Sequence, residues 1–338
     1  MTATRTGPGT AHAQPASPAD SARPTARESV LLAAACTGLG LWPDGAEVLC
    51  RRRNLVARLP RADVGVAVIV KIHEEGTSRE RVARQAGLAR WLAGQGFPTP
   101  APAGRHLVVG AGHRWASAVR DLGPGEPATY AQLGGLLAKL HAIPAPMHLG
   151  LPLVDPAAPL LARVSHLPDA VLPAADRSWL TDQIQAAGRQ FDDLAWRGRP
   201  VLVHGDVHLP NTVIGRDGAP YLLDWETAWL GPAAADLAFP AWPVDGFGCD
   251  PAGYQEFCEA YGADVTATDG GRLYRVLARV TAAVGVVIAL EETVRDPGWA
   301  EEAALRLRCF RHQDTGDPDY AYPWRWNVTP TVAKGGPR

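Results

Sequence analysis

Three polar residues, Asp206, Asn211 and Asp224, have side chains and spacing suited to metal-assisted chemistry on a phosphate group. The apolar run at residues 201–203 leads into Asp206, Asn211 follows five residues later, and Asp224 closes a second apolar run. Phosphoryl transfer needs a positioned divalent cation, neutralised charge and a carboxylate beside the attacking hydroxyl. Carboxylate and amide oxygens are ligands that Mg²⁺ accepts in proteins. The three residues therefore indicate a phosphotransfer site.

A β-hairpin is predicted to bring these residues together. Two short apolar runs, Thr212 to Ile214 and Tyr221 to Leu223, flank an Asp-Gly pair, which is a strong hairpin signal. Such a hairpin places Asn211 and Asp224 at the same end, as two metal ligands. Asp206, in the preceding loop, would orient the acceptor hydroxyl and take its proton. The spacing from Asp206 to Asn211 equals that of the protein-kinase catalytic loop, D-x-x-x-x-N.

This segment resembles the central motif of the aminoglycoside phosphotransferase family, whose members have the protein-kinase-like fold. The residues that carry the resemblance are His204, Gly205, Asp206, His208, Asn211, Asp224, Trp225, Glu226, Gly231 and Asp236. A run from Leu137 to His141, before a proline, resembles a helix that recurs in that family. The resemblance covers roughly residues 40–312 and is most specific in the catalytic segment.

The resemblance implies an ATP-dependent kinase with Mg²⁺. By position, Asp206 is the catalytic base, and Asn211 and Asp224 are the metal ligands. His204 and Asp236 brace the catalytic loop by hydrogen bonds.

On the nucleotide side, the resemblance implies that Lys71 holds the α- and β-phosphates and that Glu80 pairs with Lys71. The turn before the second strand lacks the glycines of a phosphate loop, and Asn54 is its candidate nucleotide contact. Which backbone groups cover the phosphates stays open.

The wider pattern predicts an α+β, bilobal protein-kinase-like fold, with a small mixed β-sheet lobe and a larger, mainly helical lobe. Alternation and β-branching predict strands over Ala46–Cys50, Leu55–Leu59, Val64–Ile72, Arg105–Val109 and Arg114–Val119. Apolar periodicity and cap residues predict helices over Glu28–Cys36, Arg79–Ala93, Tyr130–His141, Ala175–Trp196, Tyr254–Tyr261, Gly271–Glu292 and Trp299–Phe310.

The predicted domain order is a disordered leader (1–28), a nucleotide-binding lobe (29–121), a catalytic and substrate lobe (122–314) and a tail (315–338), partly disordered. The boundary rests on the turn signals of Asp121 to Gly125.

Each residue also has an ordinary structural interpretation. Lys71 could be a solvated strand end, and Glu80 could be a first-turn acid that complements a helix dipole. His204 and His208 have the spacing of a metal pair, but they lie in a loop with no glutamate partner, so zinc is disfavoured.

Composition narrows the partners and the compartment. A net charge of −2 and 20% charged residues give no reason to expect nucleic acid or an anionic membrane. Five scattered cysteines without a C-x-x-C pair indicate reduced thiols and a cytoplasmic protein. No run approaching the roughly 18 apolar residues of a membrane span is expected.

The expected acceptor is a small hydroxylated molecule: an aminoglycoside-like antibiotic, a sugar, an amino alcohol or a natural-product intermediate. Several carboxylates could line a pocket for a cationic acceptor or could belong to ordinary solvated helix faces, namely Asp245, Asp250, Glu256, Glu259, Asp264, Glu291 and Glu292. Two alternatives stay open, a peptide Ser/Thr kinase in ribosomal natural-product maturation and a nucleotide-binding pseudokinase.

Overall fold

The computed structural model describes residues 23–51, 53–60, 67–193, 200–313, 324 and 326. The fold is α+β and divides into two compact units. The first unit is Met1–Leu151 with His208–Ala228, and the second is Pro152–Val207 with Trp229–Arg338. The predicted leader up to residue 22 and most of the predicted tail lie outside the described residues.

The α-helices of the first unit are α1 (Ala26–Leu39), α2 (Arg79–Gly94) and α3 (Tyr130–Ala142). Its strands are β1 (Glu47–Arg51), β2 (Leu55–Leu59), β3 (Val68–Ile72), β4 (Val109–Ala111), β5 (Arg114–Arg120), β7 (Thr212–Ile214) and β8 (Pro220–Leu222). The second unit contains the strands β6 (Val201–Val203) and β9 (Trp229–Gly231) and the helices α4 (Ala158–Ser165), α5 (Ala174–Asp192), α6 (Ala234–Phe247), α7 (Ala252–Tyr261), α8 (Arg272–Arg295) and α9 (Ala300–His312).

An antiparallel five-stranded sheet, in the order β1-β2-β3-β5-β4, forms the frame of the first unit. Alternate residues of β3 are buried, so Val68, Val70 and Ile72 face the same core as α1. Because successive side chains of a strand point to opposite faces, Lys71 projects from the other face. The two-residue period of the strand therefore places the core residues on one face of the sheet and the lysine expected to bind phosphate on the other.

The hairpin of β7 and β8 is attached to the segment that follows β5. The N–H of Ile214 donates to the carbonyl of Glu126 (2.8 Å), and the N–H of Arg216 donates to that of Leu122 (3.0 Å). Gly125 permits this approach, because a Cβ atom there would lie 1.8 Å from the Ile214 oxygen. These bonds place the hairpin in the first unit.

A buried carboxylate supports the same junction. Asp121 lies 3.1 Å from Arg58 Nε on β2 and 3.3 Å from Arg216 Nη2 at the hairpin tip. Its second oxygen accepts from the N–H of Gly123 (3.0 Å). One carboxylate thus contacts the sheet, the connecting segment and the hairpin. These contacts cross the lobe boundary predicted at Asp121, and the two compact units divide at Leu151.

The second unit is a helical assembly around α8, which packs against α4, α5, α6 and α9. Helix α8, with the turn before it, is long and apolar enough to cross a membrane, since an 18-residue window reaches a mean hydropathy of 1.8. The expectation that no run approaches that length is therefore wrong. Because 56% of this window is buried inside the structure, the apolar composition is also that of a helix at the centre of a helical bundle.

Two tryptophans beyond α9 dock on the second unit. The backbone N–H groups of Trp324 and Trp326 donate to the carbonyls of Asp245 and Gly246 at the end of α6, each at 2.9 Å. The two indole rings stack with centroids 4.7 Å apart. The Trp326 ring occupies space left by Gly285, where a Cβ atom would approach to 2.7 Å. No sequence pattern indicates this docking, because neither tryptophan lies in a periodic element.

Most predicted elements match the observed ones within a few residues, with five clear exceptions. Helix α1 begins at Ala26, inside the predicted leader, because Thr25 forms a capping box with Glu28. The strand predicted from Arg105 is the shorter β4, since the N–H of Arg105 bonds to the end of α1. Helix α6 was missed because it contains Pro240 and Pro243. Helix α4 and strand β9 were also missed, being short.

Replacing Trp326 by alanine is expected to lower the free energy of unfolding by about 3–5 kcal/mol, because a large buried ring leaves a cavity. The matched control is Trp42→Ala, since the Trp42 side chain is 61% exposed and surface changes cost within about 0.5 kcal/mol. Urea unfolding measures both variants. Equal effects at the two positions would show that the docking of Trp326 contributes nothing.

Candidate active site

Lys71 is the centre of an ion cluster on the exposed face of β3. Its Nζ lies 3.1 Å from both carboxylate oxygens of Asp224 and 2.5 Å from Oε1 of Glu226. Burial lowers the pKa of Lys71, but the charges of Asp224 and Glu226 outweigh burial and raise that pKa above its ordinary value. Lys71 therefore carries a positive charge between two carboxylates.

Glu226 also contacts the strand ends around Lys71. The side-chain amide of Asn54 donates to Oε1 of Glu226 (3.2 Å), and Nδ1 of the buried His73 lies 3.6 Å from the same oxygen. Burial raises the pKa of Glu226, but hydrogen bonding to His73 and the charge of Lys71 lower it to about 2. The Glu226 carboxylate is therefore ionised throughout the neutral range.

The residue between the two acids fixes their direction. Trp225 is buried, packs edge-on against Phe97 with ring centroids 5.9 Å apart, and donates from Nε1 to the hydroxyl of Thr99 (2.9 Å). Asp224 has a left-handed backbone with φ of 57°, which is unusual for a non-glycine residue. The anchored ring and this turn lie beside two carboxylates that both reach Lys71.

The predicted metal ligands occupy the open end of the hairpin. Its strands pair as predicted, although the second begins one residue early, and the N–H of Leu223 donates to the carbonyl of Asn211 (2.8 Å). This bond places Asn211 and Asp224 at the same end of the hairpin. The Asn211 amide nitrogen lies 3.1 Å from Nε2 of His208.

The donor set fits Mg²⁺. This cation is usually held by one or two carboxylates together with water and substrate phosphate oxygens, and all-protein cages are uncommon. Asp224 and Asn211 supply such oxygens. Among residues that the structure describes, no group of three or more His, Cys, Asp or Glu side chains could hold a metal ion, so a closed protein cage is not present in that part of the chain.

The loop that carries Asp206 belongs to the second unit. It follows β6 and turns at Gly205, which has φ of 78°. The carboxylate of the buried Asp236 accepts from the N–H groups of His204 and Gly205, each over 2.8 Å. The N–H of Asp206 faces Nδ1 of His204 (3.3 Å), so this nitrogen is the accepting one. Asp236 and His204 thus hydrogen-bond to the backbone of the loop that carries Asp206.

A family model for the phosphotransferase enzyme family, APH, matches residues 51–283. The chain belongs to this family. The matched range includes every residue assigned a role above.

Solved structures with similar folds are kinases of small molecules. An amicoumacin kinase in complex with AMP-PNP, Ca²⁺ and amicoumacin has a TM-score of 0.65 and 13% identity, with 85% of this chain and 94% of that chain covered. A spectinomycin phosphotransferase in complex with ADP and spectinomycin has a TM-score of 0.55, 16% identity and coverage of 86% and 94%.

A macrolide 2′-phosphotransferase from Brachybacterium faecium has a TM-score of 0.51 and 24% identity, with 82% of this chain and 96% of that chain covered. At these identities the likeness establishes the fold alone. None of the curated protein sequences matches the chain.

The ion pair predicted between Glu80 and Lys71 is wrong. Glu80 lies in the first turn of α2, is fully exposed, and has its pKa lowered by hydrogen bonds from its own backbone N–H and from the Ser78 hydroxyl. Lys71 pairs with Asp224 and Glu226 instead. Glu80 therefore matches the other interpretation, an acid that complements the helix dipole.

Asn54 is placed beside Glu226, and both ends of its amide are used inside the first unit. Its nitrogen donates to Glu226, and its oxygen accepts from the N–H of Glu74 (2.9 Å). The structure thus gives Asn54 a supporting position, whereas the sequence suggested a nucleotide contact. Glu226 belongs to the Lys71 cluster although the sequence predicted no role for it, and its only sequence signal is the D-x-E spacing from Asp224.

Most of the acidic residues considered for a cationic acceptor have protein partners. Asp245 accepts from the hydroxyl of Tyr274 (2.5 Å), Asp264 from that of Tyr254 (2.8 Å), and Glu291 pairs with Arg163 (2.7 Å). The remaining contacts are those of Glu292 with Arg295 and Asp250 with the N–H of Ala252, while Glu256 and Glu259 are exposed on α7. These partners favour ordinary structural roles for the set.

Replacing Asp236 by alanine is expected to destabilise the Asp206 loop, because two N–H groups lose a buried charged acceptor at about 1.5–3 kcal/mol each. Urea unfolding and amide hydrogen exchange at His204 and Gly205 measure the effect. Asp182→Asn, an exposed change on α5, is the control. Unchanged exchange at the two amides would contradict the bracing role.

Proposed function

We propose that this protein transfers the γ-phosphoryl group of ATP to a hydroxyl of a small molecule. The observation that carries the proposal is the Lys71–Asp224–Glu226 cluster, with Asn211 at the same hairpin end, in a chain of the phosphotransferase enzyme family. A positive lysine between carboxylates suits a nucleotide whose phosphates arrive with a divalent cation. ATP and Mg²⁺ are the proposed pair.

Lys71 binds phosphate oxygens in this proposal. Its ammonium presents three N–H donors and no acceptor, and its raised pKa keeps it protonated at neutral pH. Asn211 and Asp224 hold the cation, which neutralises charge on the transferring phosphoryl group when bound. The protein then contributes position and electrostatics, which are the main requirements of this reaction.

Asp206 is the proposed catalytic base. Its carboxylate orients the acceptor hydroxyl and takes its proton as the oxygen attacks the γ-phosphorus. The bond between that phosphorus and the β–γ bridging oxygen breaks, and ADP leaves with the bond's electron pair. His204 and Asp236 keep the loop in place and are positioning residues, because they hydrogen-bond to backbone N–H groups of the loop.

The proposed acceptor is a small hydroxylated compound. Support comes from the structural neighbours, which are described as acting on amicoumacin, spectinomycin and macrolides, and from a choline kinase and an ethanolamine kinase of similar fold. We also propose a cytoplasmic protein without a nucleic acid or membrane partner. Its five cysteines are all free, as expected for a reducing compartment.

Turnover against a panel of hydroxylated antibiotics, sugars and amino alcohols tests the reaction, with ³²P transfer from γ-labelled ATP as the measurement. At least one class is expected to gain one phosphate, detected as a mass increase. ATP binding without transfer to any acceptor class or to serine- and threonine-containing peptides would favour a pseudokinase and would sink the proposal.

Replacing Asp206 by asparagine is expected to lower kcat by about 10²–10⁴-fold, which is the usual contribution of a positioned general base, with little change in the Kd of ATP. Steady-state kinetics and calorimetry separate the two. Asp193→Asn, just after α5, serves as a control of the same chemistry. Wild-type kcat in Asp206→Asn would remove the base assignment.

Replacing Asp224 by asparagine is expected to raise the Mg²⁺ concentration needed for half-maximal turnover at least about tenfold, because a charged oxygen ligand becomes neutral. Asp217→Asn, at the tip of the same hairpin, is the matched control. A Mg²⁺ titration of turnover measures both. Identical Mg²⁺ dependence in the two variants would rule out Asp224 as a ligand.

A further inference from the structure

We infer that Glu226 is the carboxylate that positions Lys71 for nucleotide binding, in place of an acid on helix α2. The inference rests on the proposed function, because it concerns how that site receives phosphate. It depends on contacts within the first unit only. Neither the family match nor the similarity to solved structures assigns Glu226 a role.

The donors of Lys71 are matched by three oxygens. An ammonium group has three N–H donors, and Nζ contacts Oδ1 and Oδ2 of Asp224 at 3.1 Å and Oε1 of Glu226 at 2.5 Å. Glu226 makes the shortest of these contacts. No donor is left over for Glu80, which lies fully exposed at the start of α2.

The two carboxylates have different positions in the proposed reaction. Asp224 is a proposed metal ligand, so its oxygens are needed by the cation when nucleotide is bound. Release of Asp224 frees two donors of Lys71 for phosphate oxygens. Glu226 can keep its contact with Nζ at the same time, and it is then the group that holds the ammonium in place.

Glu226 is itself restrained from two sides. Asn54 donates to Oε1 (3.2 Å) and is fixed by the N–H of Glu74 (2.9 Å), which ties the carboxylate to the turn before β2. His73, only 2% exposed, lies 3.6 Å from Oε1 and has Nε2 3.0 Å from the hydroxyl of Ser117 on β5. The carboxylate is thereby tied to three parts of the sheet.

The strand end that carries these residues is also held. Arg114 donates from Nε to the carbonyl of His73 (2.5 Å) and from Nη2 to that of Ile72 (3.0 Å). The same Nη2 lies 3.4 Å from the carbonyl of Arg53, beside Asn54. The position of Glu226, and through it that of Lys71, is therefore set by the sheet and its turns, and it does not require helix α2.

A double-mutant cycle on ATP binding tests the inference, using Glu226→Gln, Lys71→Met and the double variant, with Glu80→Gln as the matched control. Glu226→Gln is expected to raise the Kd of ATP about tenfold, the size of a lost charge-assisted hydrogen bond. In the Lys71→Met background the same change is expected to have no further effect. Glu80→Gln is expected to stay within about twofold of wild type.

Calorimetry in the presence of Mg²⁺, without any acceptor, gives the Kd of ATP for the wild type, the two single variants and the double variant. Glu226→Asp reports whether a carboxylate at this position partly restores binding. Wild-type affinity in Glu226→Gln, an undiminished effect in the Lys71→Met background, or a tenfold loss in Glu80→Gln would each overturn the inference. If Glu226 and Lys71 are coupled in ATP binding but no acceptor is phosphorylated, the inference about Glu226 stands and the proposed function is refuted. If an acceptor is phosphorylated but the two residues are not coupled, the proposed function stands and the inference is refuted.

Discussion

The attraction between Lys71 and the carboxylates of Asp224 and Glu226 is the interaction on which the site depends. Two acids placed near each other repel, and partial burial makes each of them more costly. A single ammonium between them offsets both penalties. Hydrogen bonding to His73 and the charge of Lys71 lower the pKa of Glu226, while the charges of Asp224 and Glu226 raise that of Lys71. The rest of the first unit holds these three groups in place.

The hairpin and the sheet hold Lys71, Asp224 and Glu226 in place by different means. Strand alternation points Lys71 away from the core, and the buried ring of Trp225 anchors the segment between the two acids. The hairpin is bonded along one edge to the residues after β5, where a side chain larger than hydrogen at position 125 would collide with the backbone. The charged groups therefore lie, partly exposed, on elements that are packed elsewhere.

The sequence was sufficient for the hairpin, the loop before it and most helices, because each has a strong local signal: an Asp-Gly turn, a short motif or an apolar period. It was insufficient for the partner of Lys71. A glutamate early in the following helix is the usual partner in kinases, and local pattern cannot show that three oxygens from elsewhere already surround Nζ. Glu226 lies more than 150 residues away, so only the tertiary structure reveals the contact.

The docking of Trp324 and Trp326 escaped prediction for a related reason. Their binding position is formed by Gly285, the end of α6 and the guanidinium of Arg306, whose Cζ lies 5.1 Å from the Trp326 ring. None of these groups has a sequence pattern that points to the others. Helix α6 was missed because prolines argue against helix, yet it ends at Gly248, whose backbone is left-handed, and carries an acid, Asp236, in its first turn.

The division of the chain has a consequence for how the protein is made. The first unit consists of Met1–Leu151 and the later segment His208–Ala228, with 56 residues of the second unit between them. Chains emerge from the ribosome in order, and domains tend to fold as they emerge. Lys71 is translated long before both of its partners, so the strands of the sheet can pair early while the ammonium stays in water. The site is completed only after Glu226 has left the ribosome, and an incomplete chain carries no assembled phosphate site.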